Sequence, residues 1–168
     1  DIKNLGSVVG LPDEADKLAE RSKKDLDADM EAVKKLAPDQ PLRMAFLYAR
    51  GNGGVFFILG EGTGAQDLIE GIGAVDVAAE NGLKDAAPAN AEALAKLNPD
   101  VFIMMTEGLK STGGIEGLMQ RPGVEQTTAG QHQRVVALPD GQSLAFGPQT
   151  GELLLRTAQA VYNPDQAQ

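Results

Sequence analysis

The sequence contains no cysteine, which excludes disulfide bonds, cysteine-containing zinc sites and thiol nucleophiles together. This absence also leaves the redox compartment open. The single histidine, His132, argues against a histidine-rich metal site and against a Ser-His-Asp triad. A net charge of −9 argues against a nucleic-acid-binding protein, which needs a basic surface. No apolar run approaches the ~20 residues of a membrane-spanning helix.

What the sequence does contain is an alternation of apolar, strand-like segments with short helical patterns. The segment VFIMM follows a Pro-Asp turn and has the unbroken apolar character of a buried parallel strand. With 168 residues and 42% hydrophobic content, the chain suits one globular core. We therefore predict a three-layer α/β domain with a mostly parallel sheet.

Residues 12–37 are predicted to form one long helix. Pro12 suits the first helical turn, and Lys34 and Lys35 suit the last. A stripe of apolar and small residues recurs at steps of three and four. At 1.5 Å per residue, such a helix is roughly 35–40 Å long, which exceeds the span of a domain this small. Two interpretations stay open: a surface helix packed on its own domain, or a rod that joins two lobes.

A tyrosine and an arginine end the predicted strand RMAFLYAR, residues 43–50, just before a glycine-rich turn. Because side chains alternate along a strand, Tyr48 and Arg50 are expected to project from one face at its carboxyl end. Ligands of open α/β sheets bind at that end. A neighbouring guanidinium favours the phenolate form of tyrosine, a hard donor that suits ferric iron. The pair therefore fits either a ferric-haem site or a solvated strand end.

Each of the other candidates also has a structural explanation. Glu92 lies in the first turn of a helix predicted near residues 90–97, where its charge stabilises the helix end. Met104 and Met105 end the buried strand, so one should face the core and the other can reach the strand-end surface. His132 lies in the polar segment AGQHQRV and is expected to be a solvated loop residue.

The segment GEGTGAQDLIEG, residues 60–71, follows an apolar run and opens a predicted helix, which suggests a dinucleotide site. Its spacing is G-x-G-x-G-A rather than G-x-G-x-x-G, and Glu61 would repel a pyrophosphate. No P-loop motif is present. A nucleotide-dependent α/β enzyme that uses the loop from Gly60 to Gly64 is kept as an alternative.

Several segments together resemble one family. KKLAPDQPLRMAFLYARGNG, GEGTGAQDLIEGIGAVDVA, APANAEALAKLNPDVFIMM and AFGPQTGELLLRTAQAVY are similar to the carboxy-terminal lobe, with its bridging helix, of the haem-binding substrate-binding proteins of bacterial haem ABC importers. These belong to a helix-linked class that also binds cobalamin and ferric siderophores. The resemblance implies a lead-in and bridging helix at residues 1–38. It implies one lobe of a periplasmic-binding-protein-like fold at residues 39–168.

The resemblance also implies roles for single residues. Tyr48 and Arg50 match the Tyr-x-Arg of the actinobacterial haem binders, in which the tyrosine ligates haem iron and the arginine hydrogen-bonds to its oxygen. Met105 matches a position near the haem in some relatives. Glu92 matches the acidic residue that docks on arginines of the permease.

Two departures from the family pattern stand out. The arginine of the family's closing Gly-Pro-Arg is Gln149 here. The amino-terminal lobe, which carries the opposing axial histidine, is expected to be absent, and His132 lies in the wrong segment to replace it. A lobe without its partner is expected to expose Leu18 or Leu26 of the long helix and to self-associate through that helix or through haem.

The implied protein is not an enzyme. It would capture ferric haem outside the cytoplasmic membrane, as a cell-surface lipoprotein or a periplasmic protein, and deliver it to the permease of an ABC importer. The alternative within the class is a carrier of a ferric siderophore or of cobalamin, for which Tyr48 would be only a wall residue.

Overall fold

The computed structural model describes residues 12–140 and 150–166, which begin with one long helix, α1 (Pro12–Leu36). Asp13 and Glu14 stand in its first turn and Lys34 and Lys35 in its last, where the helix dipole stabilises charges of these signs. The helix ends one residue before the predicted boundary, and its 25 residues correspond to about 37 Å.

A six-stranded sheet forms the centre of the domain. Its strands are β1 (Arg43–Arg50), β2 (Val55–Leu59), β3 (Val75–Asp76), β4 (Ala86–Pro88), β5 (Val101–Met105) and β6 (Val135–Leu138). The order is β4-β2-β1-β5-β6, and β3 pairs with the start of β1. The pairs β1–β3, β1–β5 and β5–β6 are parallel, whereas β2 runs antiparallel to β1 and β4. The predicted mostly parallel sheet is therefore confirmed, with an antiparallel hairpin at β1 and β2.

Helices cover both faces of this sheet. They are α2 (Ala65–Gly71), α3 (Val77–Glu80), α4 (Ala91–Leu97), α5 (Thr106–Ser111), α6 (Gly114–Met119), α7 (Thr128–Gln131) and α8 (Thr150–Tyr162), followed by a 3-10 turn (Pro164–Gln166). Leu94 of α4 and Leu118 of α6 join the core on one face. Val33 of α1, Leu68 of α2 and Ala158 of α8 join the core on the other. The three-layer α/β prediction is confirmed.

Helix α1 packs along α8 of its own domain. An ideal Cβ on Gly151 would lie only 3.0 Å from Leu26 Cδ1, so the absence of a side chain there lets the two helices approach closely. Even so, Leu18 is 53% exposed and Leu26 is 40% exposed, as expected for a helix that leaves part of its apolar stripe uncovered. Within the described ranges, no helix has the length and apolar character needed to cross a membrane.

Candidate functional site

The central strand β1 carries its candidate site residues where burial ends. Met44 and Phe46 are fully buried, whereas Tyr48, next along the same face, is 37% exposed and Arg50 is also exposed. On the other face, Leu47 and Ala49 stay buried. We call the side of the sheet that carries Met44, Phe46, Tyr48 and Arg50 the Tyr48 face. The prediction that Tyr48 and Arg50 share one face at the carboxyl end of the strand is confirmed.

Apolar side chains flank Tyr48 on both neighbouring strands. Phe57 of β2 stands directly opposite Tyr48, and Val55 stands opposite Arg50, so both lie on the Tyr48 face. On β5, Met104 is fully buried in the opposite core, while Met105 is half-buried against the core of the Tyr48 face. As predicted, one methionine, Met104, faces the core, and the other, Met105, lies near the strand-end surface.

The side chains of Tyr48 and Arg50 make no hydrogen bond or ion pair with another described residue. A phenol and a guanidinium therefore stand side by side, accessible, beside the apolar side chains of Val55, Phe57 and Met105. Such a surface offers polar groups for one end of a ligand and apolar area for the rest, the usual composition of small-molecule sites.

The start of α4 lies at the same end of the sheet as Tyr48, although in the layer on the opposite face. Pro88 of β4 pairs with Phe57, which pairs with Tyr48, so the chain leaves β4 at this end and enters α4. Asn90 caps α4 by accepting a hydrogen bond from the Ala93 N–H at 2.8 Å. Glu92 is exposed in the first turn, and no ion pair with a described residue engages it.

His132 lies at the other end of the sheet, as a solvated loop residue. Its Nδ1 is 2.9 Å from the Thr128 carbonyl oxygen. It borders an open cavity of about 650 Å³ at the amino ends of β1, β5 and β6. The cavity is lined by Gln40, Pro41, Leu42, Arg43, Asp100, Thr128, His132 and Arg134. Among the described residues, no group of three or more histidines or carboxylates could hold a metal ion.

The glycine loop 60–64 is engaged in the fold. The N–H groups of Gly60 and Glu61 donate to the carbonyls of Asp85 and Leu83 at 2.7 and 2.9 Å, so they do not point at an open phosphate site. An ideal Cβ on Gly60 would lie 2.4 Å from the Leu83 oxygen, and this close approach explains the glycine without a ligand. The arrangement counts against the nucleotide-binding alternative.

Two residues near the site were missed by sequence reasoning. Phe57 could have been found, because two apolar strands joined by a glycine-rich turn indicate a hairpin, and the hairpin sets which residues face each other. Arg121 gives no such signal. It lies in a loop distant in sequence, yet its guanidinium carbon is 4.7 Å from the centre of the Phe56 ring.

Tyr48 and Arg50 therefore lie at the carboxyl end of the central strand of an α/β domain, the end at which ligands of open α/β sheets bind. The chain belongs to the periplasmic binding protein family, whose model matches residues 1–141. No match was found among curated protein sequences.

Solved structures of haem-binding proteins share the fold. The haem-binding protein HmuT is 67% identical to this chain, with a TM-score of 0.86 over 96% of this chain and 52% of HmuT. The periplasmic haem-binding protein RhuT from Roseiflexus sp. RS-1 is 31% identical, with a TM-score of 0.82 over 99% of this chain and 62% of RhuT. BhuT, solved in complex with two haems, is 29% identical, with a TM-score of 0.85 over 96% of this chain and 60% of BhuT.

Further HmuT structures carry alanine in place of an arginine, a tyrosine or a histidine. That tyrosine and that arginine lie two positions apart, the spacing of Tyr48 and Arg50. The present chain spans about half the length of HmuT.

Proposed function

We propose that this chain is the iron-ligating lobe of the solute-binding component of a bacterial haem importer. Tyr48 binds the iron of ferric haem, and Arg50 supports it. The observation that carries the proposal is the accessible Tyr48 side chain on an apolar strand-end face, two residues from Arg50, where neither side chain has a polar partner among the described residues. The same tyrosine–arginine spacing among the HmuT substitutions supports it.

The chemistry of the pair suits ferric iron. A tyrosine oxygen is a hard, anionic donor when it ligates Fe(III), and it is a known axial ligand of haem. Residues two apart on a strand are about 6.6 Å apart along its axis, a distance that the long Arg50 side chain can span. In the haem-bound chain, its positive charge and N–H donors would support the ligating oxygen of Tyr48.

The surroundings of Tyr48 suit the porphyrin. Val55, Phe57 and Met105 present apolar surface beside the phenol, and burying this area against the porphyrin contributes about 25 cal/mol per Å². The porphyrin face turned away from Tyr48 can be covered by another protein surface. A second copy of this chain is one such surface, which makes a haem-mediated homodimer part of the proposal.

The remaining parts of the proposal concern transport. Glu92, which is exposed at the same end of the sheet and forms no ion pair with a described residue, docks on a basic surface of the permease. Haem is carried rather than transformed, which the similarity to solved haem-binding proteins supports. We infer that this work is done outside the cytoplasmic membrane, which membership of the periplasmic binding protein family supports. Location in the periplasm or attachment to the cell surface as a lipoprotein is part of the proposal.

Titration of hemin into matched variants tests the central assignment. The chain has two tyrosines, so Tyr162→Phe is the control for Tyr48→Phe. The unmodified chain and Tyr162→Phe should show a tyrosinate-to-iron charge-transfer band. Tyr48→Phe should lose this band, and its affinity for hemin should fall by more than about 100-fold. Mutating a residue that only supports a metal ligand already lowers metal affinity by about 10–100-fold, and removing the ligand itself should cost more.

Arginine variants and competing ligands complete the experiment. Arg50→Ala should weaken hemin binding by about 10–100-fold, whereas Arg156→Ala, which removes an exposed arginine paired with Glu152, should not. Identical spectra and affinities for Tyr48→Phe and the unmodified chain would show that the assignment is wrong. Binding of cobalamin or a ferric siderophore, without hemin binding, would favour those alternatives.

A further inference from the structure

The turn that follows Arg50 has a backbone conformation that needs support. Gly51, Asn52 and Gly53 have φ values of 63°, 53° and 75°, so three consecutive residues adopt the left-handed conformation. The Gly54 N–H donates to the Gly51 carbonyl at 2.9 Å and closes the turn. Glycines give such a turn many alternative conformations. Because the turn continues directly from Arg50, its conformation helps to set where the end of β1 lies.

Arg121 packs against this turn from the side of the sheet opposite the Tyr48 face. An ideal Cβ on Gly53 would lie 1.5 Å from Arg121 Nη2, so the guanidinium occupies the space that any other side chain at Gly53 would need. Gly53 is buried although it belongs to a turn. The same guanidinium lies over the Phe56 ring at 4.7 Å, within the range of a cation–π contact.

Phe56 connects Arg121 to β1, the strand that carries Tyr48 and Arg50. It pairs with Ala49, the residue between Tyr48 and Arg50, and both Phe56 and Ala49 lie on the face opposite the Tyr48 face. Arg121 therefore contacts the end of the β1–β2 hairpin at two points, Gly53 in the turn and the ring of Phe56. Tyr48 and Arg50 project from the opposite face of the sheet. No ion pair with a described residue draws the guanidinium elsewhere.

The segment that carries Arg121 is itself fixed to the core. The Arg121 N–H donates to the Leu118 carbonyl, and the Arg121 carbonyl accepts from the Val124 N–H, each at 3.1 Å. Leu118 and Val124 are fully buried. Two residues after Arg121, an ideal Cβ on Gly123 would lie 2.5 Å from the Cα of Ala91, so the loop also rests on the first residue of α4.

We propose that Arg121 is a positioning residue for the ligand site: it holds the β1–β2 turn and thereby fixes Tyr48 and Arg50 for a ligand on the Tyr48 face. This rests on the proposed function for the identity of the ligand. It does not rest on it for the placement of Tyr48, which can be measured without haem.

The ligand-free test uses the two tyrosines. In a chain with ¹³C-labelled tyrosine, Tyr48 and Tyr162 give separate ring signals, assigned with the two phenylalanine variants. Arg121→Ala should shift or broaden the Tyr48 signal and leave the Tyr162 signal in place. Arg121→Lys, which keeps a cation near the Phe56 ring, should restore part of the original signal, and Arg156→Ala should change neither. An unchanged Tyr48 signal in Arg121→Ala overturns the proposal.

A second pair of variants guards against a general loss of folding. Gly53→Ala and Gly51→Ala introduce a side chain at similar positive φ, but only Gly53 faces Arg121, since nothing lies within 4 Å of a Cβ at Gly51. Gly53→Ala should reproduce the Tyr48 signal of Arg121→Ala, and Gly51→Ala should not. Equal disturbance of the Tyr48 signal by the two glycine variants overturns the role of Arg121.

Hemin titration then measures the effect on the ligand. Arg121→Ala should bind hemin about 10–100-fold more weakly, the usual loss for a residue that acts through a metal ligand, with partial rescue in Arg121→Lys. If Tyr48→Phe binds hemin like the unmodified chain, the proposed function fails, while the tyrosine signals still decide the role of Arg121. If Tyr48→Phe loses hemin and Arg121→Ala binds it normally, the positioning role fails alone.

Discussion

The two tyrosines of the chain stand in opposite circumstances. The Tyr162 hydroxyl, half-buried at the end of α8, donates to the Ile72 carbonyl at 2.8 Å. Burial raises the pKa of this hydroxyl, and the positive charge of Arg134 lowers it again in part. The Tyr48 hydroxyl is exposed, makes no hydrogen bond to a described residue, and stands beside Arg50 and apolar strand residues.

The difference shows how a structural tyrosine can be told from a binding one. A tyrosine that joins two elements uses its hydroxyl in the fold, because a half-buried polar group needs a partner. A tyrosine kept for a ligand leaves its hydroxyl free and relies on its strand for position. By this criterion the Tyr162 hydroxyl serves the fold, whereas the Tyr48 hydroxyl is left available for the ligand that we propose, although each tyrosine has an arginine nearby.

The largest effect that sharpens this comparison is on stability. Tyr162→Phe removes the only hydroxyl bonded to the Ile72 carbonyl among the described residues, so the free energy of unfolding should fall by about 1 kcal/mol. Tyr48→Phe removes no such bond and should stay within about 0.5 kcal/mol of the unmodified chain. Urea unfolding of both ligand-free variants measures the difference. Equal losses would contradict the distinction between the two tyrosines.

The fold was largely predictable because its main signals are local. The central strand β1 (Arg43–Arg50) was predicted to the residue, and the end of α1 was misplaced by one position. The strand β4 (Ala86–Pro88) was missed because it is three residues long and contains a proline. The helix α5 (Thr106–Ser111) was missed because it follows β5 without a loop. Its capping group is Asp140, whose carboxylate accepts from the Glu107 N–H at 2.9 Å across a large gap in sequence.

Only those features of the candidate site that depend on residues close together in sequence could be predicted. Strand alternation places Tyr48 and Arg50 together, and adjacent methionines must point to opposite faces, so these relations needed no tertiary information. Phe57 follows only once the β1–β2 hairpin and its register are assigned, and Arg121 reaches the site through packing that no local pattern of one sequence records. The predicted closing helix is described from Thr150 onward, and Gln149 lies outside the described residues.

A smaller effect concerns the end of the sheet that carries Tyr48. Glu92→Gln should leave the hemin spectrum unchanged and slow haem transfer to permease-containing vesicles by up to about fivefold, the equivalent of a partly screened ion pair of about 0.2–1 kcal/mol. Glu116→Gln is the matched control, since Glu116 is exposed in the first turn of α6. The slowing should shrink as salt is raised. Equal transfer rates for the two variants would contradict the proposed role of Glu92 in docking.

Asp76 is a buried carboxylate that lies away from the candidate site. It pairs with Met44 at the start of β1, is 2% exposed, and caps α3 through Oδ1, which accepts from the Ala78 N–H at 3.0 Å. Its Oδ2 is buried and has no hydrogen-bond partner among the described residues. Burial raises the pKa of this carboxyl above its ordinary value of 3.8, and Glu70 adds to the rise, while backbone N–H groups oppose it.

The raised pKa fixes the sign of the smallest predicted effect. The folded chain holds the Asp76 proton more tightly than the unfolded chain does, so this group favours folding most below pH 3.8, and that contribution is lost as the pH rises through the raised pKa. Asp76→Asn keeps the capping oxygen and does not titrate. The free energy of unfolding of the unmodified chain minus that of Asp76→Asn should therefore decrease with rising pH above 3.8 and then become constant. Urea unfolding across this range measures the difference, and a difference that rises with pH would show that the carboxylate form of Asp76 has a partner that stabilises it.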